Sequence, residues 1–303
     1  MGFYAGFDLG GTKIKSGIIN NQGKVVCQLS QPTANNIQDL LHQIKKLWEN
    51  LKTFTPEQIK AVGLGFPGIY NFKKIIIHQS PHLPFLDNFP LSPALTELIE
   101  VPFFINNDAN LAAFGEFLIG SGQGVQSMVF LTIGTGVGSG IIFKGKLWQG
   151  KCGYAGELGH IIVNPEGEIC DCRGRGCLET EVCSSKIVQN YLEFTRVKEK
   201  LTAEEVFERA KKGDKTAQKA FQKAGYYLGL GLASIINLLN PEKIILGGGV
   251  MEAGDFLLKP ALEEVKKRAY QKAIECCKIE KASLGNNAGI IGAGLWAKHK
   301  LGD

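Results

Sequence analysis

Three cysteines and one histidine stand close together in the segment HIIVNPEGEICDCRGRGCLE, which runs from His160 to Glu179. Cys170, Cys172 and Cys177 fall within eight residues, and His160 precedes the first of them by ten positions. Three thiolates and one imidazole make the tetrahedral donor set that structural zinc prefers. The segment therefore indicates a zinc site, while a polar loop with cysteines at chance positions stays an alternative.

Two glycine turns are suited to bring backbone N–H groups close to phosphate oxygens. The first, Gly10-Gly11-Thr12, joins the predicted strands FYAGFDL and KIKSGIIN, and the second lies in GTGVGSG at 134–140. GTGVGSG is not a dinucleotide fingerprint, because Ser139 holds the third glycine position and a strand rather than a helix follows. GIIFKGK at 140–146 is not a P-loop, because Leu147 replaces the Ser or Thr that binds magnesium. Asp8 lies two positions before the first turn, where a carboxylate would lie beside Mg²⁺ and phosphate. Alternatively, these glycines are needed only for the geometry of the turns and do not bind phosphate.

The segments GTKIKSGII at 11–19 and GTGVGSGII at 134–142 are identical at six of nine positions. Each follows an apolar strand, and each continues as a strand. This internal repeat predicts a duplicated α/β domain with a cleft between the two copies.

The periodicity of the rest of the chain predicts alternating strands and helices. Helices dominate residues 180–240, and a long loop rich in proline and histidine follows residue 66. We predict further strands at 24–30, 61–66, 101–106 and 243–248, and helices at about 35–52, 108–120, 257–275 and 286–299.

Residues suited to ligand binding stand where two of these strands end. Asn106, Asn107 and Asp108 lie at a strand-to-helix boundary, where Asp108 suits either a helix cap or a catalytic carboxylate. Strand carboxyl ends line the ligand crevice of α/β sheets, which favours the catalytic interpretation. The turn at 246–249, LGGG, follows another strand and suits close approach by a flat ligand such as adenine.

The bulk composition limits the class of protein. The chain has 303 residues, 44% of them hydrophobic, with eight cysteines and a formal net charge of +5. This length allows two core-bearing domains. Without a signal peptide, the cysteines favour reduced thiols and a cytoplasmic location. Because the sequence has no basic stripe and no membrane-length apolar segment, we expect neither nucleic-acid nor membrane binding.

Together these motifs resemble the ROK family (repressors, uncharacterised frames and sugar kinases) of the actin–hexokinase superfamily of ATPases. The resemblance covers essentially the whole chain. It implies an α/β protein with duplicated ribonuclease-H-like (actin-like ATPase) domains and an interdomain cleft. The smaller domain would comprise residues 1–117 plus 290–303, and the larger one residues 118–289 with the zinc-binding loop.

The matching motifs imply roles for individual residues. DLGGTK, GTGVGSG and LGGG look like ATP- and Mg²⁺-binding motifs, which implies contacts from Asp8, Gly10, Gly11, Thr12, Lys13, Gly134, Thr135, Gly136, Val137, Gly138, Gly247, Gly248 and Gly249. GFPG, NNDAN and the region of the cysteines look like the sugar side, which implies sugar contacts from Gly65, Pro67, Gly68, His82, Asn107, Asp108, Glu157, His160 and Glu179. The zinc ligands of the family correspond to His160, Cys170, Cys172 and Cys177.

The resemblance implies an ATP- and Mg²⁺-dependent hexose kinase with structural zinc. Glucose phosphorylation to glucose 6-phosphate is the expected reaction, with Asp108 as general base. Two alternatives remain: a ROK kinase for N-acetylmannosamine, N-acetylglucosamine or fructose, and a sugar-sensing regulator without catalysis. The family's regulators carry a helix-turn-helix ahead of the kinase-like body, and the first predicted strand begins at residue 3. We expect ATP and a hexose as partners and a homodimer or larger homo-oligomer.

Two residues depart from the family pattern. Arg173 stands directly after the Cys-x-Cys pair, where the family usually has glycine, so a shifted zinc turn is expected. His82 stands where glucose-specific members commonly carry asparagine. The second departure bears on which sugar is used rather than on the chemistry.

Overall fold

The computed structural model describes residues 2–55, 58–71, 76–80 and 83–303. The chain divides into two compact units. Unit 1 comprises Met1–Gly124, Gly140–Gly156 and Ser283–Asp303, and unit 2 comprises Val125–Ser139 and Glu157–Ala282. The chain therefore passes between the units four times. The domain boundaries that the sequence predicts stay a prediction.

The described residues form twelve strands and ten α-helices. The strands are β1 (Phe3–Leu9), β2 (Lys13–Asn20), β3 (Val25–Pro32), β4 (Ile59–Phe66), β5 (Ile69–Asn71), β6 (Ile76–Gln79), β7 (Phe103–Asn107), β8 (Met128–Ile133), β9 (Val137–Phe143), β10 (Lys146–Leu147), β11 (Lys243–Gly247) and β12 (Lys278–Lys281). The helices are α1 (Ile37–Lys52), α2 (Leu91–Thr96), α3 (Asp108–Ile119), α4 (Leu178–Val182), α5 (Ser184–Thr195), α6 (Ala203–Lys211), α7 (Lys215–Leu239), α8 (Asp255–Arg268), α9 (Gln271–Cys276) and α10 (Ala288–Leu301).

The sheet of unit 1 has the strand order β3-β2-β1-β4-β7. β1 and β2 form the antiparallel hairpin that the sequence predicts, and β1, β4 and β7 run parallel. Parallel neighbours require a crossover connection, and α1 provides it between β3 and β4. The carboxyl ends of the three parallel strands consequently lie at one edge of the sheet.

Helices pack closely on this sheet. α1 buries Leu40, Ile44 and Leu47 along one face, as a 3.6-residue period requires. α10 approaches the strands more closely, because a Cβ on Gly6 or Gly63 would overlap the carbonyl groups of α10. Glycine at these two positions therefore allows the helix to lie directly on β1 and β4.

The second sheet has the order β10-β9-β8-β11-β12. β10 pairs antiparallel with β9, whereas β8, β11 and β12 run parallel. Counted from the first strand of each repeat, this is the same order as in unit 1. The shared topology confirms the predicted duplication of a ribonuclease-H-like α/β domain. Within unit 2, α7 packs on α8, with Gly225 and Gly229 close to the α8 backbone.

The structure corrects some predicted elements. The single helix expected at 257–275 is two helices, because Ala269 adopts an extended backbone with φ −88° and ψ 152°. The N–H of Tyr270 then donates to Asn237 Oδ1 at 3.0 Å instead of continuing the helix. The loop expected after residue 66 contains β5, β6 and α2. No helix in the described ranges is both long and apolar enough to cross a membrane.

Candidate functional site

Polar residues of unit 1 meet at the carboxyl edge of its sheet. Asp8 in β1 pairs with Gly65 in β4, and Gly65 pairs with Asn106 in β7. Neighbouring strands lie about 4.8 Å apart, so two spacings separate Asp8 from Asn106 by roughly 10 Å. Asn107 and Asp108 follow directly, and Gly65 lies close to the Asp108 backbone.

Asp108 begins α3 but does not cap it. The N-cap is Asn107, whose Oδ1 accepts from the Asn110 N–H at 2.9 Å. Asp108 Oδ1 accepts from the adjacent Ala109 N–H at 2.8 Å. The interpretation of Asp108 as the helix N-cap is therefore wrong, and capping does not explain a carboxylate at this position.

Asn107 also holds the loop that contains Pro67 and Gly68. Its Nδ2 donates to the Gly68 carbonyl at 3.0 Å, and the buried Ser80 hydroxyl donates to the Pro67 carbonyl at 2.5 Å. Gly68 has φ 122°, a conformation that favours glycine. The predicted sugar-side residues Gly65, Pro67, Gly68 and Asn107 thus belong to one connected group, whereas His82 lies outside the described residues.

The first glycine turn is open to solvent. The Gly10 N–H donates to the Lys13 carbonyl at 2.9 Å, and Gly11, Thr12 and Lys13 are exposed. Asp8 lies below this turn, beside the first turn of α10, where a Cβ on Gly289 would overlap its carboxyl group. Burial raises the pKa of Asp8, and the Lys15 ammonium at 4.0 Å opposes this shift.

The second glycine turn lies in unit 2 between β8 and β9. The Gly134 N–H donates to the Gly136 carbonyl at 2.9 Å, and Gly134 has open space where a Cβ would lie. Thr135 and Gly138 belong to the same hairpin. The Val137 N–H donates to Glu179 Oε2 at 2.7 Å. Glu179, predicted on the sugar side, therefore contacts a backbone donor that is predicted to contact phosphate.

The third glycine turn follows β11, at Gly247–Gly249. Gly248 has φ 90°, and a Cβ there would overlap the backbone of Ile133. Gly249 has open space instead. The turn consequently needs glycine at 248 for its own packing, whereas glycine at 249 leaves room for a ligand.

The four predicted zinc ligands lie together in unit 2. One ligand atom from each of His160, Cys170, Cys172 and Cys177 lies within 4.8 Å of all the others. His160 Nδ1 is 3.5 Å from Cys170 Sγ, and Cys172 Sγ is 3.5 Å from Cys177 Sγ. Burial is the main cause that raises the pKa of the Cys177 thiol to about 12. Arg173 accommodates the turn in the left-handed region, with φ 70°.

Two carboxylates flank this cluster. His160 Nε2 lies 3.8 Å from Glu157 Oε2, and the Cys170 thiol lies 3.8 Å from Glu179 Oε1. Burial raises the pKa of Glu157, His160 lowers it in part, and Glu179 raises it further. His160 therefore presents one ring nitrogen to the thiols and the other to a carboxylate.

Residues 4–300 match the model of the ROK family. The chain belongs to the ROK family. It is 37% identical to a glucokinase of Halalkalibacterium halodurans, over 98% of this chain and 96% of that relative.

Two solved structures resemble the whole ROK chain. A ROK hexokinase from Thermus thermophilus has a TM-score of 0.87 and 31% identity, with 99% of each chain covered. A ROK family glucokinase from Streptomyces griseus, in complex with glucose and AMPPNP, has a TM-score of 0.88 and 28% identity, with 98% of this chain and 100% of that chain covered. This ROK chain has the two-domain fold of the actin-like ATPases.

The sequence did not point to three side chains of this ROK chain that contact polar residues in or beside the candidate site. Lys15 lies directly opposite Asp8 in the β1–β2 pair, so the hairpin register is a signal that would have found it. Gln149 Nε2 donates to Asn106 Oδ1 at 3.0 Å. Asn164 Nδ2 donates to the buried Glu181 at 2.7 Å, at the base of the cysteine loop. No local pattern marks the last two contacts.

Proposed function

We propose that this ROK chain transfers the γ-phosphoryl group of ATP to a hexose, and that glucose is converted to glucose 6-phosphate. The observation that carries the proposal is Asp108 at the carboxyl edge of the unit 1 sheet, with the helix cap supplied by Asn107. The relative named glucokinase and the solved structure with glucose and AMPPNP support it.

Asp108 acts as the general base in this proposal. A sugar hydroxyl oxygen attacks the γ-phosphorus in line, the new oxygen–phosphorus bond forms, and the bond to the β-phosphate oxygen breaks, which leaves ADP. The hydroxyl proton passes to Asp108. Catalysis of such reactions consists almost entirely of positioning the two reactants and stabilising the charge on the transferred group.

The sugar contacts are proposed for the loop that Asn107 holds and for residues beside the cysteines. Carboxylates accept hydrogen bonds from sugar hydroxyls, and buried acceptors left unpaired penalise analogues without a hydroxyl group. The proposed sugar contacts are Gly65, Pro67, Gly68, His82, Asn107, Asp108, Glu157, His160 and Glu179.

The phosphates of ATP are proposed to bind the two glycine hairpins. Backbone N–H groups at 10–13 and 134–138 would contact phosphate oxygens, and the turn at 247–249 would contact adenosine. The open space beside Gly134 and Gly249 is consistent with close approach. Mg²⁺ bound with ATP supplies charge neutralisation at the transferred group, and the oxygen donors of Asp8 suit it.

The cysteine cluster fits a structural zinc ion. A tetrahedral site with zinc–sulfur bonds of about 2.3 Å places sulfur atoms roughly 3.8 Å apart. The distance of 3.5 Å between Cys172 Sγ and Cys177 Sγ is close to that value. His160, Cys170, Cys172 and Cys177 would complete the coordination, which leaves no position for a catalytic water.

An assay of ADP release over a panel of hexoses tests the proposed function. We expect the highest kcat/KM with glucose and ATP. A higher kcat/KM with N-acetylmannosamine, N-acetylglucosamine or fructose would support a sugar kinase but contradict glucose as its substrate. Sugar binding without ADP release from any hexose would favour a regulator and contradict the proposal.

The proposal extends to the assembled protein. We propose a cytoplasmic homodimer or larger homo-oligomer, with domains at 1–117 plus 290–303 and at 118–289. None of the eight cysteines forms a disulfide, which fits a reducing compartment. Light scattering after size exclusion tests the oligomeric state, and a monomeric mass would contradict it.

A further inference from the structure

Glu116 is a buried carboxylate on the helix that begins with Asp108. It lies eight residues further along α3, and its accessible surface is 0%. Burial of a carboxylate is unfavourable unless hydrogen bonds replace the lost water. The partners of Glu116 therefore show what this charge holds in place.

Both carboxylate oxygens accept hydrogen bonds from backbone groups. Oε1 accepts from the Leu284 N–H at 2.8 Å. Oε2 accepts from the Ser121 N–H at 2.9 Å and from the N–H and hydroxyl of Ser283, both at 3.3 Å. Hydrogen bonds to an ionised acceptor are among the stronger ones in proteins. Glu116 thus joins the loop after α3 to the segment before α10.

The residues around the Glu116 carboxylate pack closely against it. A Cβ on Gly120 would overlap Glu116 Oε2, so a larger residue there would displace the carboxylate. The two helices also pack closely, because a Cβ on Gly292 of α10 would overlap the Leu111 carbonyl of α3. α3 and α10 consequently form one closely packed pair, with Glu116 tying the segment that precedes α10 to α3.

The segment that Glu116 holds leads directly to Asp8. Gly289 follows Ser283 by six positions and lies against the Asp8 carboxyl group. Between them, the Asn286 carbonyl accepts from Lys15 Nζ at 3.1 Å, and Lys15 lies 4.0 Å from Asp8. Glu116 therefore connects the helix of Asp108 with the surroundings of Asp8, entirely within unit 1.

We propose that Glu116 is a positioning residue for phosphoryl transfer. It fixes the helix that carries Asp108 relative to the segment 283–289 that supports Asp8. The distance between Asp108, the proton acceptor, and Asp8, beside the phosphates, then stays constant during the reaction. This inference rests on the proposed function, in which Asp108 and Asp8 have those roles.

Glu116→Gln tests the inference in the full-length protein. The glutamine keeps the volume but replaces one acceptor oxygen with an NH₂ group, which faces N–H donors. We expect kcat to fall at least about tenfold and the KM for Mg·ATP to rise severalfold, because small displacements of reacting groups have large effects on rate. The hexose KM should change less.

Glu242→Gln is the matched control. Glu242 also accepts two backbone N–H groups and a hydroxyl, from Gln126 and Ser127, at 2.7, 2.8 and 3.0 Å. It precedes β11, at the strand ends opposite the glycine turns. Both variants should have a lower thermal midpoint than the wild type. Only Glu116→Gln should have a lower kcat when activity is normalised to the amount of folded protein. Equal kcat losses, or an unchanged kcat in Glu116→Gln, would overturn the inference.

Amide hydrogen exchange keeps the inference testable without catalysis. Exchange at Leu284 and at residues 286–289 should be faster in Glu116→Gln than in the wild type, and unchanged in Glu242→Gln. If Glu116→Gln does not fold, Ser283→Ala removes only the hydroxyl contact and should give a smaller change of the same kind. Wild-type protein that phosphorylates no hexose would contradict the proposed function, whereas unchanged exchange would contradict the role of Glu116.

Discussion

Asn107 and Asp108 are adjacent polar residues at the start of α3, and only Asn107 caps the helix. Asn107 caps α3 and holds the Gly68 carbonyl, so its side chain has a structural task on both sides. Asp108 therefore occupies the first helical position, where the helix dipole favours a negative charge. The division of tasks makes the effects of the two residues separable by mutation.

Asp108→Asn should abolish phosphoryl transfer and leave substrate binding in place. The amide keeps the shape of the side chain but is a poor proton acceptor, and loss of a general base usually reduces kcat about 10²–10⁴-fold. Steady-state kinetics would measure the loss, and calorimetry would measure hexose and ATP affinity. Turnover close to that of the wild type would show that Asp108 has no part in the proton transfer.

Glu242 should give a pH-dependent contribution to stability. Hydrogen bonds from the Gln126 and Ser127 N–H groups hold the pKa of Glu242 below its ordinary value. A lowered folded-state pKa stabilises the protein above the unfolded pKa, about 4.3, and this contribution is lost as the pH falls through the folded-state value. Thermal unfolding should show Glu242→Gln less stable than the wild type at pH 7, with a smaller difference below pH 4. A difference that is constant over this range would contradict the assignment.

The loop from His160 to Glu179 is the element that zinc removal should affect. The cluster lies between Glu157 and Glu179, so loss of the metal should loosen both carboxylates proposed for the sugar. We expect chelation to raise the hexose KM at least about tenfold and the KM for ATP far less. Elemental analysis should find one zinc per chain before treatment.

Two variants distinguish the role of this metal. Cys172→Ser changes an exposed cysteine that is proposed as a zinc ligand, and it should lower zinc content together with sugar affinity. Cys276→Ser changes an exposed cysteine outside the cluster and should alter neither. Equal losses of sugar and ATP affinity would mean that zinc only keeps unit 2 folded. An unchanged hexose KM in zinc-free protein would contradict the link between metal and sugar.

The turn after β11 allows a second comparison of matched variants. Gly248→Ala should destabilise the protein by about 1 kcal/mol or more, because φ is 90° and the new Cβ would overlap Ile133. Gly249→Ala meets open space and should leave the thermal midpoint nearly unchanged while raising the KM for ATP. Equal thermal midpoints for the two variants would be inconsistent with this geometry.

Local pattern decides which elements are predictable from the sequence. The hairpins around Gly10 and Gly134 and the strand-to-helix boundary at Asp108 follow from alternation and glycine, so the sequence predicts them. The end of α8 depends instead on a hydrogen bond from Tyr270 to Asn237, 33 residues away. The contact of Glu116 with Leu284 spans 168 residues. Such partners are brought together only by the tertiary fold, and no window of sequence contains them.

At the scale of the whole molecule, the discontinuity of unit 1 governs how it can be divided. A fragment of residues 1–124 lacks α10, which lies directly on β1 and β4. We expect this fragment to show no cooperative thermal transition, and the same fragment joined to residues 283–303 by a flexible linker to gain one. Circular dichroism would measure both. A cooperative transition in the shorter fragment would contradict the importance of α10.

The late position of α10 also sets the order of events on the ribosome. At about 5–20 residues per second, synthesis from residue 124 to residue 283 takes on the order of 10–30 s. Throughout this interval the nascent sheet of unit 1 has no helix over Gly6 and Gly63. An apolar surface of this kind is what chaperones bind. Unit 1 therefore completes its fold only after residues 283–303 have been synthesised, although nearly all of its strands emerge first.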